Sequence, residues 1–279
     1  MLARSVLFLP ASNPRAIEKA RTLACDLAVL DLEDAVAPEE KDAARIAAVK
    51  TVRGGGFSPD VGVRVNGLDT PWGEADLRGI AASGVRLIVA PKVESGDQAR
   101  AYAERLPDGC ALWAMIETPG AVLRLAEIAS AGGPLAGLML SVNDLAAGLR
   151  TGPSPDREPL KPWMAAVVAA ARANGLLAID GVFNRLDDAS GHAAECREGR
   201  LYGFDGKSLI HPSQIAAANA AFSPTADELE EARALVAAFA SPESDGKGAI
   251  RVDGRMAERL HLQAAEALLE RQRRIEARG

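Results

Sequence analysis

Residues 27–41 read LAVLDLEDAVAPEEK and contain the features on which the fold prediction depends. The apolar run 27–32 is typical of a strand that is buried on both faces. It meets two adjacent carboxylates, Glu33 and Asp34, and Pro38 follows at a position where a helix can begin. A buried strand, a polar turn and a helix together make one βα unit, so the fold depends on how often the chain repeats them.

The same succession occurs eight times along the chain. The predicted strands, with Ala-rich helical segments between them, are 5–10, 27–34, 61–67, 86–94, 111–118, 135–144, 178–184 and 201–211. Alternating strands and helices predict a parallel sheet. Eight such strands over roughly 220 residues predict a (β/α)₈ TIM barrel. The alternative is an open doubly wound sheet, but the G-x-G-x-x-G turn of that fold is missing after the first strand.

The character of the sequence changes after Ile210. An amphipathic helix is predicted over 225–240, a polar linker over 241–249 and a final helix over 256–277. We therefore predict a barrel domain, 1–222, and a C-terminal helical extension, 223–279. This extension either packs on a neighbouring subunit as a lid or caps its own barrel, and the sequence leaves both open.

Composition narrows the class of protein. A net charge of -6 and a pI near 5.3 disfavour a nucleic-acid surface, which needs clustered Lys and Arg. Three cysteines far apart in sequence, Cys25, Cys110 and Cys196, favour neither a disulfide framework nor a zinc site. We expect a cytoplasmic protein, without a signal peptide or a membrane span.

Charged side chains end six of the eight predicted strands. In a TIM barrel these ends form the active-site face. The residues singled out there are Glu33, Asp34, Arg64, Lys92, Glu117 and Asp144. Glu117 and Asp144 each follow an apolar strand, and two carboxylates with water and substrate oxygens suit Mg²⁺. The alternative for both is that they cap the following helix.

Arg64 lies among valines in its predicted strand and therefore needs a partner. It is either a fork for a substrate carboxylate or carbonyl, or the partner of Glu33 or Asp34 in a buried ion pair. Lys92 has the same two interpretations. No histidine is placed as a catalytic base at a strand end, since His211 precedes Pro212 and is expected to support a turn. The G-x-S-x-G, H-E-x-x-H and Walker motifs are missing, which excludes hydrolases of those kinds.

Several motifs in one order resemble a known family. RSVLFLPASNPRAIEKA, LDLEDAVAPEEKDAAR, VRVNG, APKVES, IETPGA and GFDGKSLIHPSQI succeed one another at matching spacings. The chain resembles the citrate lyase β-subunit-like proteins of the HpcH/HpaI aldolase–citrate lyase superfamily. This resemblance implies a TIM barrel and a Mg²⁺-dependent carbon–carbon lyase. Its substrate would be a 3-hydroxyacyl-coenzyme A (CoA) of the malyl- or citramalyl-CoA type, and its products acetyl-CoA and a keto acid.

The resemblance also implies roles for individual residues. Metal ligation falls to Glu117 and Asp144. The catalytic positions are Glu33, Asp34, Arg64 and Glu258, where Arg64 binds the keto acid and Asp34 orders metal-bound water. CoA contacts fall to Phe8, Arg15, Lys19 and Lys92. Relatives of this family imply a homotrimer or hexamer.

The chain departs from the family pattern at two places. Asn143 stands where many relatives have an acid beside the metal ligand, and Glu258 stands where the tail often has an aspartate. The alternatives are therefore a citrate lyase β-subunit acting on citryl-ACP, a pyruvate aldolase, which would need a histidine base, and a non-catalytic protein that binds CoA or an organic acid.

Overall fold

A closed barrel of eight parallel strands forms the larger part of the molecule. The computed structural model describes residues 1–154, 156–241, 244, 246–252 and 254–278. The strands are β1 (Ser5–Pro10), β2 (Leu27–Asp31), β3 (Asp60–Arg64), β4 (Leu87–Ala90), β5 (Ala111–Ile116), β6 (Leu135–Leu140), β7 (Leu177–Asp180) and β8 (Gly206–Leu209). They follow chain order, and β1 pairs with β8 to close the ring. The predicted TIM barrel is confirmed.

Helices connect successive strands on the outside of the barrel. They are α1 (Pro14–Ala20), α2 (Lys41–Gly54), α3 (Gly73–Ala81), α4 (Gly96–Ala103), α5 (Pro119–Leu123), α6 (Leu125–Ala129), α7 (Val142–Leu149), α8 (Lys161–Ala173), α9 (Ala189–Tyr202) and α10 (Ile215–Ala221). Short 3-10 helices occupy Pro38–Glu40, Glu158–Leu160 and Pro212–Gln214. Most of the predicted strands run past the observed ends, because the polar residues that follow each strand belong to the rim.

Along each strand, side chains point alternately into the barrel and outward toward the helices, and so form two apolar layers. Leu27 and Val29 of β2 belong to the cluster inside the barrel, whereas Ala28 and Leu30 belong to the larger layer between strands and helices. Trp113 fills the inner layer and is fully buried. Gly137 makes room for it, because a Cβ there would lie 2.8 Å from the indole ring. The inside of the barrel is thus a packed core that fixes the rim above it.

The C-terminal part of the chain contains two helices and a hairpin. Helix α11 (Ala226–Phe239) is followed by the antiparallel strands β9 (Ala249–Val252) and β10 (Arg255–Glu258), and then by helix α12 (Arg259–Glu276). The hairpin corrects the prediction that the final helix begins at residue 256. Residues 256–258 are good helix formers, but pairing with β9 outweighs that weak preference. Positions 242, 243 and 245 of the predicted linker lie outside the described residues.

Cα packing divides the chain into two compact units. One comprises Ala3–Phe222 with Met1, and the other comprises Ser223–Gly279 with Leu2. Among the residues that the structure describes, no helix is both long enough and apolar enough to cross a lipid bilayer.

Candidate active site at the barrel mouth

A cavity of about 440 Å³ opens at the C-terminal ends of the barrel strands. Its polar wall is formed by side chains at the ends of three strands, β2, β3 and β6, and in the segments that follow them, namely Asp31, Asp34, Arg64, Ser141, Asn143 and Asp144. Phe8, Met115 and Met139 contribute apolar surface. This is the face on which TIM-barrel enzymes place their chemistry.

Arg64 ends β3 and is held by a buried carboxylate on the neighbouring strand. Its Nε and Nη2 atoms donate to the two oxygens of Asp31 at 2.7 and 2.5 Å. Its Nη1 lies 2.8 Å from Oε2 of Glu33 and 3.9 Å from Asp34. Burial disfavours the cation, but these carboxylates outweigh it and raise the pKa of Arg64. A permanently charged fork therefore lines the cavity.

Asp31 was not among the residues predicted for the site. The predicted ion pair of Arg64 with Glu33 or Asp34 exists, but its bidentate partner is Asp31, which is 1% exposed. The alternation of side chains along β2 could have identified Asp31 as a site residue. Leu27, Val29 and Asp31 alternate along β2, and the first two point into the barrel. An acid in that series must face the interior and must find a cation there.

Lys92 joins two acids of the rim. Its Nζ lies 2.5 Å from Oε1 of Glu33, and its backbone N–H donates to Oε1 of Glu117 at 2.6 Å. The residue has a φ of +50°, in the left-handed region that few non-glycine residues adopt. Burial raises the pKa of Glu33, although Arg64 and Lys92 oppose that shift. Of the two interpretations of Lys92, the structure shows the ion pair with a rim acid.

A second lysine, Lys41, holds the segment that follows β2 in place. Lys41 is buried, and its Nζ donates to the carbonyl oxygens of Leu32 and Glu33 at 2.9 and 2.7 Å. A third bond, 2.7 Å long, reaches the side-chain oxygen of Asn66. The turn that presents Glu33 is therefore tied to the segment that follows β3.

Glu117 follows β5 directly and is 1% exposed. Burial and the nearby carboxylates of Glu33 and Asp144 raise its pKa to about 7. Its Oε2 atom is buried and has no hydrogen-bond partner among the described residues. Thr118, rather than Glu117, caps α5, because its side chain accepts the N–H of Ala121. The structure thus excludes the capping alternative for Glu117.

Asp144 lies in the first turn of α7, after β6, and lines the cavity. Its Oδ2 accepts a hydrogen bond of 2.6 Å from the hydroxyl of Ser141. Among the described residues, no group of three or more His, Cys, Asp or Glu side chains is arranged to hold a metal. Two carboxylates, one of them with an unsatisfied buried oxygen, still fit an ion such as Mg²⁺ that retains water ligands.

Three of the four residues predicted for CoA binding lie on β1 and α1, and the fourth, Lys92, follows β4. Phe8 lines the cavity, and its ring centre lies 5.3 Å from the guanidinium carbon of Arg64. Arg15 and Lys19 are exposed and stand one helical turn apart on α1. Asn13 caps this helix by accepting the N–H of Ala16. These positions suit an anionic ligand that approaches the cavity over α1.

Glu258 belongs to the C-terminal unit. It is the last residue of β10 and precedes α12, so it does not lie within the final helix as predicted. Its side chain is exposed, and its backbone N–H donates to Nδ1 of His261 at 3.0 Å. A catalytic role for Glu258 stays a prediction.

Asp180, which ends β7, lies in a structural ion-pair network away from the cavity lining. It is fully buried and lies 2.9 Å from Nζ of Lys207 and 2.8 Å from Nη1 of Arg157. These cations hold its pKa below the ordinary range despite the burial. Glu195 and Glu198 of α9 complete the network. The acids at the strand ends are therefore of two kinds. Some belong to the candidate site, whereas Asp180 fastens α9 and the loop before α8 to the barrel.

The profile of the HpcH/HpaI aldolase/citrate lyase family matches residues 4–212. The chain belongs to this family. A (3S)-malyl-CoA thioesterase of Cereibacter sphaeroides is 44% identical over 277 residues, which cover 99% of this chain and 96% of that protein. A citrate lyase subunit beta of Leuconostoc mesenteroides subsp. cremoris is 34% identical, with 96% of this chain and 92% of that protein covered.

A solved relative also matches the fold along nearly the whole chain. The protein CitE from Mycobacterium tuberculosis, in complex with magnesium, acetoacetate and coenzyme A, is 33% identical. The two structures superpose with a TM-score of 0.80 and cover 97% of this chain and 98% of that one. These findings confirm the predicted family and lyase class, and the metal in this relative is the predicted Mg²⁺.

Proposed function

We propose that the protein is a Mg²⁺-dependent lyase that cleaves the carbon–carbon bond of a 3-hydroxyacyl-CoA of the malyl- or citramalyl-CoA type. The observation that carries this proposal is that one site combines carboxylates able to hold a metal ion with a cation able to hold a substrate anion. On one side stands Asp144, which lines the cavity, together with the buried carboxylate of Glu117, which interacts electrostatically with Asp144 and whose Oε2 has no hydrogen-bond partner among the described residues. On the other stands Arg64, a fixed guanidinium fork.

The reaction divides into three changes at the substrate. The 3-hydroxyl loses its proton, the carbon–oxygen bond becomes a carbonyl, and the electrons of the broken carbon–carbon bond form the enolate of acetyl-CoA, which then takes up a proton. Bound Mg²⁺, held by Glu117 and Asp144, would supply a Lewis acid for the substrate oxygens. Arg64 would hold the carboxylate or carbonyl of the 2-oxo acid, and its orientation is set by Asp31 and Glu33.

The remaining roles follow from the same family. Phe8, Arg15 and Lys19 would hold CoA, Asp34 would order a water molecule on the metal, and Lys92 would keep Glu33 and Glu117 in place. We infer a cytoplasmic homotrimer or hexamer in which Glu258 of one subunit exchanges the proton at a neighbour's site. The exposed position of Glu258 at the start of α12 is compatible with this role.

A second candidate function is hydrolysis of the thioester bond. Four relatives at 44% identity are (3S)-malyl-CoA thioesterases, and the similarity covers nearly the whole chain. In that reaction water adds to the thioester carbonyl and free CoA leaves as the thiol. Arg64 and the bound Mg²⁺ would hold the substrate in this reaction as well. Citrate lyase β-subunits, at 31–34% identity, give the alternative substrate citryl-ACP.

One experiment separates these functions. Malyl-, citramalyl-, citryl- and 3-hydroxy-3-methylglutaryl-CoA are incubated with the full chain, with and without Mg²⁺, and the CoA species are quantified by mass spectrometry. Cleavage yields acetyl-CoA and a keto acid, whereas hydrolysis yields free CoA and the intact hydroxy acid. Acetyl-CoA that forms only with Mg²⁺ supports the lyase. Free CoA alone supports the thioesterase, and no turnover of any thioester contradicts both.

A further inference from the structure

A second and larger cavity lies beside the first. Its volume is about 700 Å³, and it is lined by residues of α7, the loop before α8 and the segment after β7. Asn143 and Val182 line both cavities. These two side chains therefore form the partition between the candidate active site and the larger space.

Asn143 of this partition is paired through its amide with Asn184, and both residues are exposed to solvent. Nδ2 of Asn184 donates to Oδ1 of Asn143 at 2.7 Å, and Nδ2 of Asn143 donates to Oδ1 of Asn184 at 3.3 Å. Asn143 is the immediate neighbour of Asp144, the candidate metal ligand. A ligand that occupies the first cavity beside Asp144 and extends toward the segment after β7 would meet Asn143 and Val182.

The space behind the partition is preformed. Its far wall includes Arg157, whose guanidinium is fixed by Asp180 and Glu198 at 2.8 and 2.7 Å. Leu160 and Phe183 add apolar surface. A rigid wall with apolar patches can accept additional methylene groups without a rearrangement of the barrel.

We propose that Asn143 and Asn184, together with Val182, set the upper length of the 2-oxo acid portion that the site accepts. With the pair in place, glyoxylate and pyruvate fit, and longer side chains meet the amides. Removal of the Asn184 side chain frees Asn143 and joins the cavities. This inference rests on the proposed function, because the acid must bind beside Asp144.

The test measures binding, so it does not depend on which reaction the enzyme performs. Glyoxylate, pyruvate, 2-oxobutanoate and 2-oxopentanoate are titrated into the full chain in the presence of saturating Mg²⁺, and heats are recorded by calorimetry. The variants are Asn184→Ala and Val182→Ala. The matched control is Asn174→Ala, since Asn174 is an exposed residue after α8 whose amide bonds only to the carbonyl of Ala170.

A pocket discriminates a single methylene by about 10- to 200-fold. We expect wild type and the Asn174→Ala control to prefer pyruvate over 2-oxopentanoate by at least about tenfold, and Asn184→Ala and Val182→Ala to lose most of that preference while pyruvate affinity is kept. An unchanged preference in both test variants overturns the inference, as does a wild type that binds all four acids equally or none of them. Binding without turnover in the CoA assay would contradict the proposed function alone.

Discussion

Replacing Asp31 by asparagine tests how much the buried ion pair between Asp31 and Arg64 stabilises the fold around the site. Each oxygen of Asp31 accepts two hydrogen bonds. Oδ1 accepts from Nε of Arg64 at 2.7 Å and from the N–H of Glu33 at 2.9 Å. Oδ2 accepts from Nη2 of Arg64 at 2.5 Å and from the N–H of Ala35 at 3.3 Å. All four partners are donors.

The magnitude follows from that geometry. Asparagine has one acceptor oxygen, so in either orientation its NH₂ group faces an N–H of Arg64 and a backbone N–H. The side chains of Asp31 and Arg64 are 2% and 10% exposed, so water cannot replace the lost bonds. Breaking a buried pair by removing one partner costs about 3–5 kcal/mol. Glu33 remains beside Arg64, so we expect the lower end, about 3 kcal/mol.

The assay is equilibrium unfolding by urea, followed by circular dichroism. Asp34→Asn is the matched control, because Asp34 is an exposed acid 3.9 Å from the same guanidinium and such pairs contribute about 0–1 kcal/mol. The double variant Asp31→Asn with Arg64→Met should recover part of the loss, since it removes the uncompensated charge. The reasoning is refuted if Asp31→Asn unfolds at the same urea concentration as Asp34→Asn.

Three further predictions concern the metal, the anion and the proton. Because burial raises the pKa of Glu117 from 4.5 to about 7, the metal-free protein should lose stability as the pH rises through that interval. Mg²⁺ binds the ionised carboxylate, so its affinity should increase by about tenfold per pH unit up to pH 7. Calorimetry at several pH values checks this, and a Glu117→Gln variant that binds Mg²⁺ as wild type does would contradict it. Arg64→Lys should lose most of the activity although the charge is kept, because a point charge cannot replace a bidentate fork, so wild-type kinetics would leave Arg64 a structural role only. Glu258→Gln should turn over about 10²–10⁴-fold more slowly with an unchanged melting temperature. Truncation at Ser241 should also slow turnover strongly and leave a folded barrel that binds Mg²⁺, and a Glu258→Gln variant as fast as wild type excludes the acid–base role.

Two features of the structure could not be read from local sequence patterns, and both have physical causes. The β9–β10 hairpin was missed because Arg255–Glu258 contains good helix formers, and only pairing with Ala249–Val252 makes it a strand. Asp180 ends a strand as the cavity acids do, but it faces Lys207 and Arg157 instead of the cavity. Position along a strand is encoded locally, whereas the identity of the partner is set by residues distant in sequence.

The sequence by itself determined the barrel and which residues stand at its mouth. Eight apolar runs with helical segments between them leave few ways to bury their surface, and the end of each run marks a rim position. Glu33, Arg64, Lys92 and Glu117 were found in this way. The tertiary structure alone decided how they are paired. It turned Asp31 inward against Arg64, left one oxygen of Glu117 without a partner among the described residues, and placed Asn143 and Val182 between two cavities. Such contacts join residues of different strands and loops, and their distances depend on how the whole core packs.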